Sequence, residues 1–297
     1  MPNTLLIPEE IAAVAAKLVG GDLVLAGLLS RDLEADFRKG AGTTVRVRVP
    51  GSVVANRRDL HDTTSTLVVN ELVEQQIDVK LTDHLYSKVT LSEGELDLDL
   101  TSFAAQVLKP QTDAIVKRIE RDVIAVMKAT PADATLAYDP ANPARVFTAI
   151  RTKLRQNGVG DSAQLYAAVG SEVYANLLDG PVGSTGTTFD SPGVVRGFQV
   201  VESTRLAPTE IIGFVKPAFT LVVRAPAKPD GAAYGASVNA GGFALRHIMS
   251  YDDSVAADNS LLSTFAEVAA MPLAVDREDG TVDLVDHGGA VRVLATA

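Results

Sequence analysis

Between residues 75 and 127 the sequence runs QQIDVKLTDHLYSKVTLSEGELDLDLTSFAAQVLKPQTDAIVKRIERDVIAVM, and the change of period inside it decides the fold. In its first half apolar and polar residues alternate. Ile77, Val79 and Leu81 stand between Asp78 and Lys80, and Leu96, Leu98 and Leu100 between Asp97 and Asp99. A period of two marks strands with one covered and one solvated face. After Thr101 the spacing changes to that of a helix. Ile115, Ile119, Val123 and Val126 form one stripe, with Lys117, Arg118, Glu120 and Arg121 off it, which predicts a helix over 101–129. Thr101 or Ser102 can cap it, and the acids just before suit the positive end of its dipole. Pro110 has no N–H and clashes with the carbonyl four residues back, so a kink or break is expected there.

Upstream, Val45, Val47 and Val49 alternate with Arg46 and Arg48 until Pro50–Gly51 ends the strand. Residues 51–66 are polar and threonine-rich and read as a long exposed loop. Before them lie two helical patterns. Residues 8–19 start with Pro8, Glu9 and Glu10, carry a stripe of Ile11, Val14, Ala15 and Leu18, and stop at Gly20–Gly21. Residues 22–37 place Leu25, Leu28, Leu29, Leu33 and Phe37 on one side. Charge is segregated around the strands. Arg46, Arg48, Arg57 and Arg58 face a single acid, Asp59, between 41 and 60. Glu71, Glu74, Asp78, Asp83, Glu93, Glu95, Asp97 and Asp99 outnumber Lys80 and Lys88 between 71 and 99. Two solvated strand faces give such a pattern, and so do complementary surfaces that meet between subunits and set register and on-rate.

Downstream, three prolines make 130–143 a loop, and a helix at 144–156 stops at Asn157–Gly158. A strand at 164–169 leads to a helix from Ser171 to Leu178. Gly180 to Gly193 reads as a loop, with strands near 194–202, 210–215 and 219–224 after it. Residues 225–242 read as another loop. Strands near 243–250 and 264–275 and a closing hairpin at 281–295, turning at His287–Gly288–Gly289, complete the chain.

Composition excludes several functions. The 297 residues include 46% hydrophobic and 22% charged side chains, enough for a core, and suit one large or two modest domains. A net charge of −10 is wrong for a free-standing nucleic-acid binder, which neutralises phosphates with Lys and Arg, and for a binder of anionic membranes. With no Cys there is no disulfide, thiolate metal site or Cys nucleophile. With no Trp and few aromatics, sugar or base stacking is poorly served. The opening MPNTLLIPEE lacks the basic start of a signal peptide, and the most apolar stretch, Ile11 to Leu29, holds Lys17, Asp22 and three glycines, so no membrane span is expected.

No motif carries chemistry. The four His residues, at 61, 84, 247 and 287, form no HExxH. Asp83–His84 is half an acid–base pair at best, and a surface or partner-facing His explains it more simply. Asp97 and Asp99 lie on one strand face about 6.6 Å apart by rise. They could act as acid and base or share a cation, but with no aromatic subsite or His beside them a solvated or inter-subunit face is the simpler reading. Asp252–Asp253 and Asp276–Gly280 lack the order of a calcium loop, and no phosphate-binding loop or GxSxG elbow is present. The chain is therefore expected not to be an enzyme and to need no cofactor or metal.

In the order of its elements, the chain resembles major capsid proteins of tailed bacteriophages, most closely the Salmonella phage coat-protein group. The resemblance rests on residues 75–127, on RDLEADFRKGAGTTVRVRVP (31–50) and on AYGASVNAGGFALRHIMSYDDSVAADNS (233–260). It implies an α+β chain with the Hong Kong phage-type major capsid fold. The N-terminal arm would be 1–40. The E-loop hairpin and its flanking strands would be 41–90. The peripheral domain, with its spine helix at about 101–129, would be 91–154, and the axial domain 155–240. Returning peripheral strands and the C-terminal hairpin would take 241–297. Arm and E-loop would reach onto neighbouring subunits, and Arg46, Arg48, Arg57 and Arg58 would meet Glu93, Glu95, Asp97 and Asp99 across that contact.

The function so implied is a shell subunit forming pentamers and hexamers of itself. Scaffolding and portal proteins would be its partners, with double-stranded DNA enclosed without sequence-specific binding and no membrane involved. Its place would be the virion capsid, assembled in the host bacterial cytoplasm. The alternatives are an encapsulin-type nanocompartment shell and a surface-layer or adhesin-like protein.

Overall fold

The computed structural model describes residues 8–35, 42–95, 103–179, 193–232, 234–240, 243–277 and 280–294. The chain divides into two units, each assembled from three separate stretches: 1–43, 80–129 and 219–269 in unit 1, and 44–79, 130–218 and 270–297 in unit 2.

Unit 1 is a sheet with helices against it. Helix α1 is Pro8–Asp22 and strand β3 is His84–Ser92. Helix α2 is Lys109–Lys128, and strands β8 to β11 are Phe219–Arg224, Tyr234–Ala240, Phe243–Asp252 and Ala257–Ala270. The sheet order is β3-β11-β10-β9, antiparallel where the register is resolved, with β8 also on β11. Ile115, Ile119, Val123, Ile124 and Met127 of α2 are buried. A π-helical turn, Ala104–Leu108, precedes α2, and Pro110 occupies its first turn. The expected irregularity thus sits just before the proline, where the wider turn takes up the register change.

Two expectations at the N-terminus are corrected. The buried face of α1 is Ile11, Ala12, Ala15, Ala16 and Val19, while Val14 is exposed. Helix α1 packs on β9, β10 and α2, and its small residues let the backbones approach closely where bulkier ones would not. Residues 22–35 form no second α-helix; they make two 3₁₀ turns, at Ala26–Leu28 and Asp32–Ala35. Their backbone groups are taken elsewhere. Glu120 Oε1 on α2 accepts the N–H groups of Val24, Leu25 and Ala26 at 2.8, 3.0 and 3.3 Å. The Ser30 N–H donates to the Phe219 carbonyl, and the Ser30 carbonyl accepts from Leu221.

A second polar clamp joins α2 to the sheet. Gln111 Nε2 donates to the carbonyls of Ser87 (3.1 Å) and Ser260 (2.9 Å), and its Oε1 accepts the Ser260 hydroxyl at 3.0 Å. Since that hydroxyl proton is used, Ser260 Oγ can only accept at His247 Nε2, 3.0 Å away. His247 is therefore the neutral Nε2–H tautomer. It is fully buried, its Nδ1 has no partner, and burial pushes its pKa down to about 4.

Unit 2 holds the other five-stranded sheet. Strands β4 to β7 are Leu165–Val169, Val194–Val195, Phe198–Glu202 and Ile211–Val215, and β14 is Ala290–Val293. The order is β14-β7-β4-β6-β5, with β4 and β6 parallel and the other pairs antiparallel. Every residue of β4 and β7 is buried. Helices α3 (Arg145–Gln156) and α4 (Ser171–Asp179) belong here, α3 packing on β7 and β14 with Phe147 edge-on to Phe198 at 5.8 Å. The buried Glu210 carboxylate takes Arg292 Nε at 2.7 Å and the Ala207 N–H at 3.0 Å.

Two readings of the C-terminal half also change. The expected loop at 225–242 contains β9, which pairs along β10 from Phe243↔Ala240 to Met249↔Tyr234. Its polar and glycine composition hid an edge strand. The turn at His287 is present, with φ +56, but no closing hairpin results. Strand β13 (Val282–Val285) pairs with β12 (Leu273–Asp276), whereas β14 pairs with β7. The expected strand at 96–100 lies outside the described residues.

Two outcomes follow from the clamps. Glu120→Ala leaves three N–H groups without their acceptor and should lower stability by about 3 kcal/mol in urea unfolding, with Glu120→Gln losing less. His247 is held below its usual 6.5, so the folded state binds fewer protons than the unfolded chain between pH 6.5 and 4. Its contribution is complete above pH 6.5, falls as pH drops toward 4 and is flat below, roughly 3 kcal/mol in all. A His247→Gln variant measured by urea unfolding across that window should show a shallower pH slope than wild type; an equal slope would refute the assignment.

Candidate assembly interface

Within unit 2, residues 44–79 form an exposed excursion. Strand β1 (Thr44–Val49) pairs with β2 (Gln75–Lys80) as a two-stranded ribbon. Valine alternation makes the strands: Val49 and Val79 are buried, while Arg46, Arg48, Asp78 and Lys80 point to water. Beyond the ribbon the limbs continue without regular pairing. They are tied by Asn70, whose amide donates to the Val54 carbonyl (2.5 Å) and whose Oδ1 accepts from Asn56 Nδ2 (3.1 Å). At the tip Asp59 accepts the His61 N–H at 2.8 Å. Asp62 Oδ1 accepts the Thr64 N–H, the Thr64 hydroxyl and the Ser65 N–H at 2.8, 2.9 and 3.1 Å. Those bonds, led by the Thr64 N–H, hold the Asp62 carboxyl below the usual carboxylate range. Local side-chain bonds thus shape a segment too polar at its tip to fold by burial.

The far limb is apolar and uncovered. Leu60 is 92% exposed and Val69 89%, and Leu67, Val68, Leu72 and Val73 are exposed with them. This run was the feature that charge reading missed. The signal was present in TLVVNELVE (66–74), which has apolar residues but no strand partner of its own. Single exposed apolar residues are ordinary; a contiguous run of them marks a surface that something else covers.

The anticipated charged contacts divide. Arg46 Nε lies 3.5 Å from Asp78 Oδ1, a cross-ribbon pair exposed at both ends and worth no more than about 1 kcal/mol. Arg58 pairs with Asp62 at 3.6 Å and also reaches its carbonyl. Among the described residues Arg48 and Arg57 have no carboxylate within ion-pair distance. In unit 1, Glu93 accepts the Tyr251 hydroxyl at 2.8 Å, which raises the tyrosine pKa. Glu95 accepts the Ser92 N–H and hydroxyl, which lowers its own. Among the described residues neither glutamate meets an arginine. Asp97 and Asp99 lie outside the described residues.

No catalytic arrangement emerges among the described residues. His84 stands against Phe265 at 5.0 Å, its pKa lowered by partial burial and by Arg246, and no carboxylate is bonded to it. The Asp252 carboxylate binds the N–H and hydroxyl of Ser254, which makes it a turn. No group of three or more acids and histidines could hold a metal ion, and no helix is long and apolar enough to cross a membrane, both among the described residues.

No family model matches the sequence, and no curated protein matches it. Solved structures do match. One from Mycobacterium phage Che8 is 12% identical, with a TM-score of 0.63 over 92% of this chain and 91% of that one. The capsid of the empty GTA particle is 12% identical, with a TM-score of 0.58 over 100% and 95%. The virus-like particle from Pyrococcus furiosus is 14% identical, with a TM-score of 0.57 over 96% and 98%. The mature capsid of bacteriophage PhiM1 is 14% identical, with a TM-score of 0.56 over 86% and 83%, and likeness at this identity shows the fold alone, a mixed helix-and-sheet architecture similar to that of these capsids.

Proposed function

We propose that the chain is a major capsid protein of a tailed phage, assembling as pentamers and hexamers into the icosahedral head shell around DNA. The observation that carries this is the excursion, which displays Leu67–Val69, Leu72 and Val73 to water on a chain with this fold. Each such side chain gains about 1.5–3 kcal/mol when fully buried, so a surface that covers the run is strongly favoured. A second copy of the chain is the cover on this reading.

The Hong Kong phage-type parts follow as part of the same proposal. The excursion is the E-loop within 41–90, α2 is the spine helix, and residues 155–240 hold the axial domain. The segment 1–40 is the N-terminal arm, and its α1 packs on β9, β10 and α2 of the same chain. Arg57 and Arg58 meet the neighbour's acidic 93–99 segment. Scaffolding and portal proteins are partners during assembly in the bacterial cytoplasm, and the Salmonella phage coat-protein group is the proposed kin. A net charge of −10 suits a shell that must not adhere to the DNA it encloses.

A second reading, an encapsulin-type nanocompartment shell, is kept by one observation: the likeness to the virus-like particle from Pyrococcus furiosus covers nearly the whole of both chains. It differs in content. A nanocompartment co-purifies with an enzyme cargo, and a phage head with DNA and portal.

Negative-stain microscopy of the protein, expressed alone and with its neighbouring genes, should show closed shells or tubes. Small discrete particles in both preparations would remove the proposal. Charge reversal of Arg57 and Arg58 to Glu should lower assembly yield on the order of tenfold at low salt, with the deficit shrinking as salt is raised. The unfolding midpoint should not move, since Arg57 has no ion-pair partner among the described residues and the Arg58–Asp62 pair is a surface one. A normal yield would exclude an electrostatic role for this tip.

A further inference from the structure

The excursion springs from a ribbon of two short strands, and such a ribbon has little stiffness of its own. Its direction must be fixed at its root. The contacts there come from the β12–β13 hairpin of the same unit. Gln75, the first residue of β2, donates from Nε2 to the Val282 carbonyl at the start of β13. Gly280, in the hairpin turn, has φ +84, and a Cβ there would stand 2.8 Å from Val54 Cγ2 and 3.1 Å from the Val54 nitrogen. Only glycine takes that φ without strain and leaves room for the near limb to lie on the turn. A cleft of about 440 Å³ separates the limbs from the hairpin, lined by Val53, Val54, Val69, Asn70, Gln75 and Val282 among others.

The hairpin is itself held. Arg277 closes its turn, accepting from the Gly280 N–H at 3.0 Å and donating its own N–H to the Thr281 carbonyl at 2.9 Å, and its guanidinium pairs with Asp283 at 2.8 Å. At the other end Val275 fits over Gly158, where φ is +99 and a Cβ would lie 2.6 Å from Val275 Cγ1. Gly158 ends helix α3, and Asn157 beside it donates to the Gly288 carbonyl at 3.1 Å. A continuous path of close contacts therefore runs from α3 through Val275 and the hairpin to Gly280, Val54 and Gln75.

We infer that the β12–β13 hairpin is a brace that sets the direction of the excursion, with Gly280 and Gln75 as its positioning residues. That the direction matters for assembly rests on the proposed function; that the hairpin sets it does not. The absence of cysteine makes a direct test clean, because Leu60→Cys at the tip and Glu172→Cys on α4 are then the only thiols. Spin labels there report the distance distribution in unassembled subunits. With the native root the distribution should be narrow. Gly280→Val and, separately, Gln75→Leu should each broaden it at least twofold and reduce shell yield at least tenfold, while the circular dichroism stays native. Gln75→Leu lies at a half-exposed site, so it answers even if Gly280→Val does not fold. An unchanged width in Gln75→Leu would overturn the brace, and broadening with a normal yield of shells would overturn its bearing on assembly. If the wild type forms no shells at all the proposed function fails, and the width alone then decides whether the hairpin fixes the excursion.

Discussion

A buried backbone N–H must find an acceptor, and in unit 1 the long helix α2 supplies it from the side. Glu120 closes three donors of the chain following α1, and Gln111 reaches carbonyls on both β3 and β11. A helix that packs by apolar contact alone can slide by a turn at modest cost. One that holds two separate clamps has a single register, because any slip leaves buried polar groups unsatisfied. The fold around α2 depends on this: α1 is placed by the segment that Glu120 holds, and the sheet by the Gln111–Ser260–His247 network.

Unit 2 is organised by the opposite means. Its central strands are wholly apolar, and a mostly buried ion pair, Arg292–Glu210, ties the last strand's residue to the turn before β7. This unit also carries an appendage that buries little. The excursion is that appendage. Its polar tip is shaped by Asp59, Asp62 and Asn70, its apolar limb is uncovered, and its root rests on a hairpin seated against α3. The exposed excursion is thus joined to the unit whose central strands are buried throughout.

Much of the architecture was legible because periodicity reports burial directly. The helix at α2 and the strands at β1, β2, β4, β6, β7 and β8 follow from apolar spacing. What was hidden depends on partners far away in sequence. Residues 22–35 look helical by their leucines, yet their donors belong to Glu120 and their Ser30 to β8. Strand β9 is built of Gly, Ala, Ser and Asn, which read as loop until β10 lies beside it. His287 signals a turn correctly, but no local pattern says that β13 and β14 leave it for different sheets. At the excursion, charge segregation drew attention to residues 41–60. It could not separate Arg46, already matched by Asp78, from Arg57, which is not. It also overlooked the exposed valines of the far limb, which carry no charge to mark them.

The interleaving of the two units along the chain bears on how the protein is made. Unit 1 takes residues from 1 to 269 and unit 2 from 44 to 297, each in three stretches. Strand β14, at 290–293, supplies an edge of the unit 2 sheet and the arginine that neutralises buried Glu210. Residues up to 269 must therefore leave the ribosome before the unit 1 core can close, and residues up to 293 before that of unit 2, and the contacts that close them are long-range ones, which form slowly. During that interval the apolar limb and the unpaired strands are exposed together, at the time when newly made chains are most crowded. The folding of this protein is a race against its own stickiness, and timely shielding of the nascent chain governs yield as much as the stability of the finished fold.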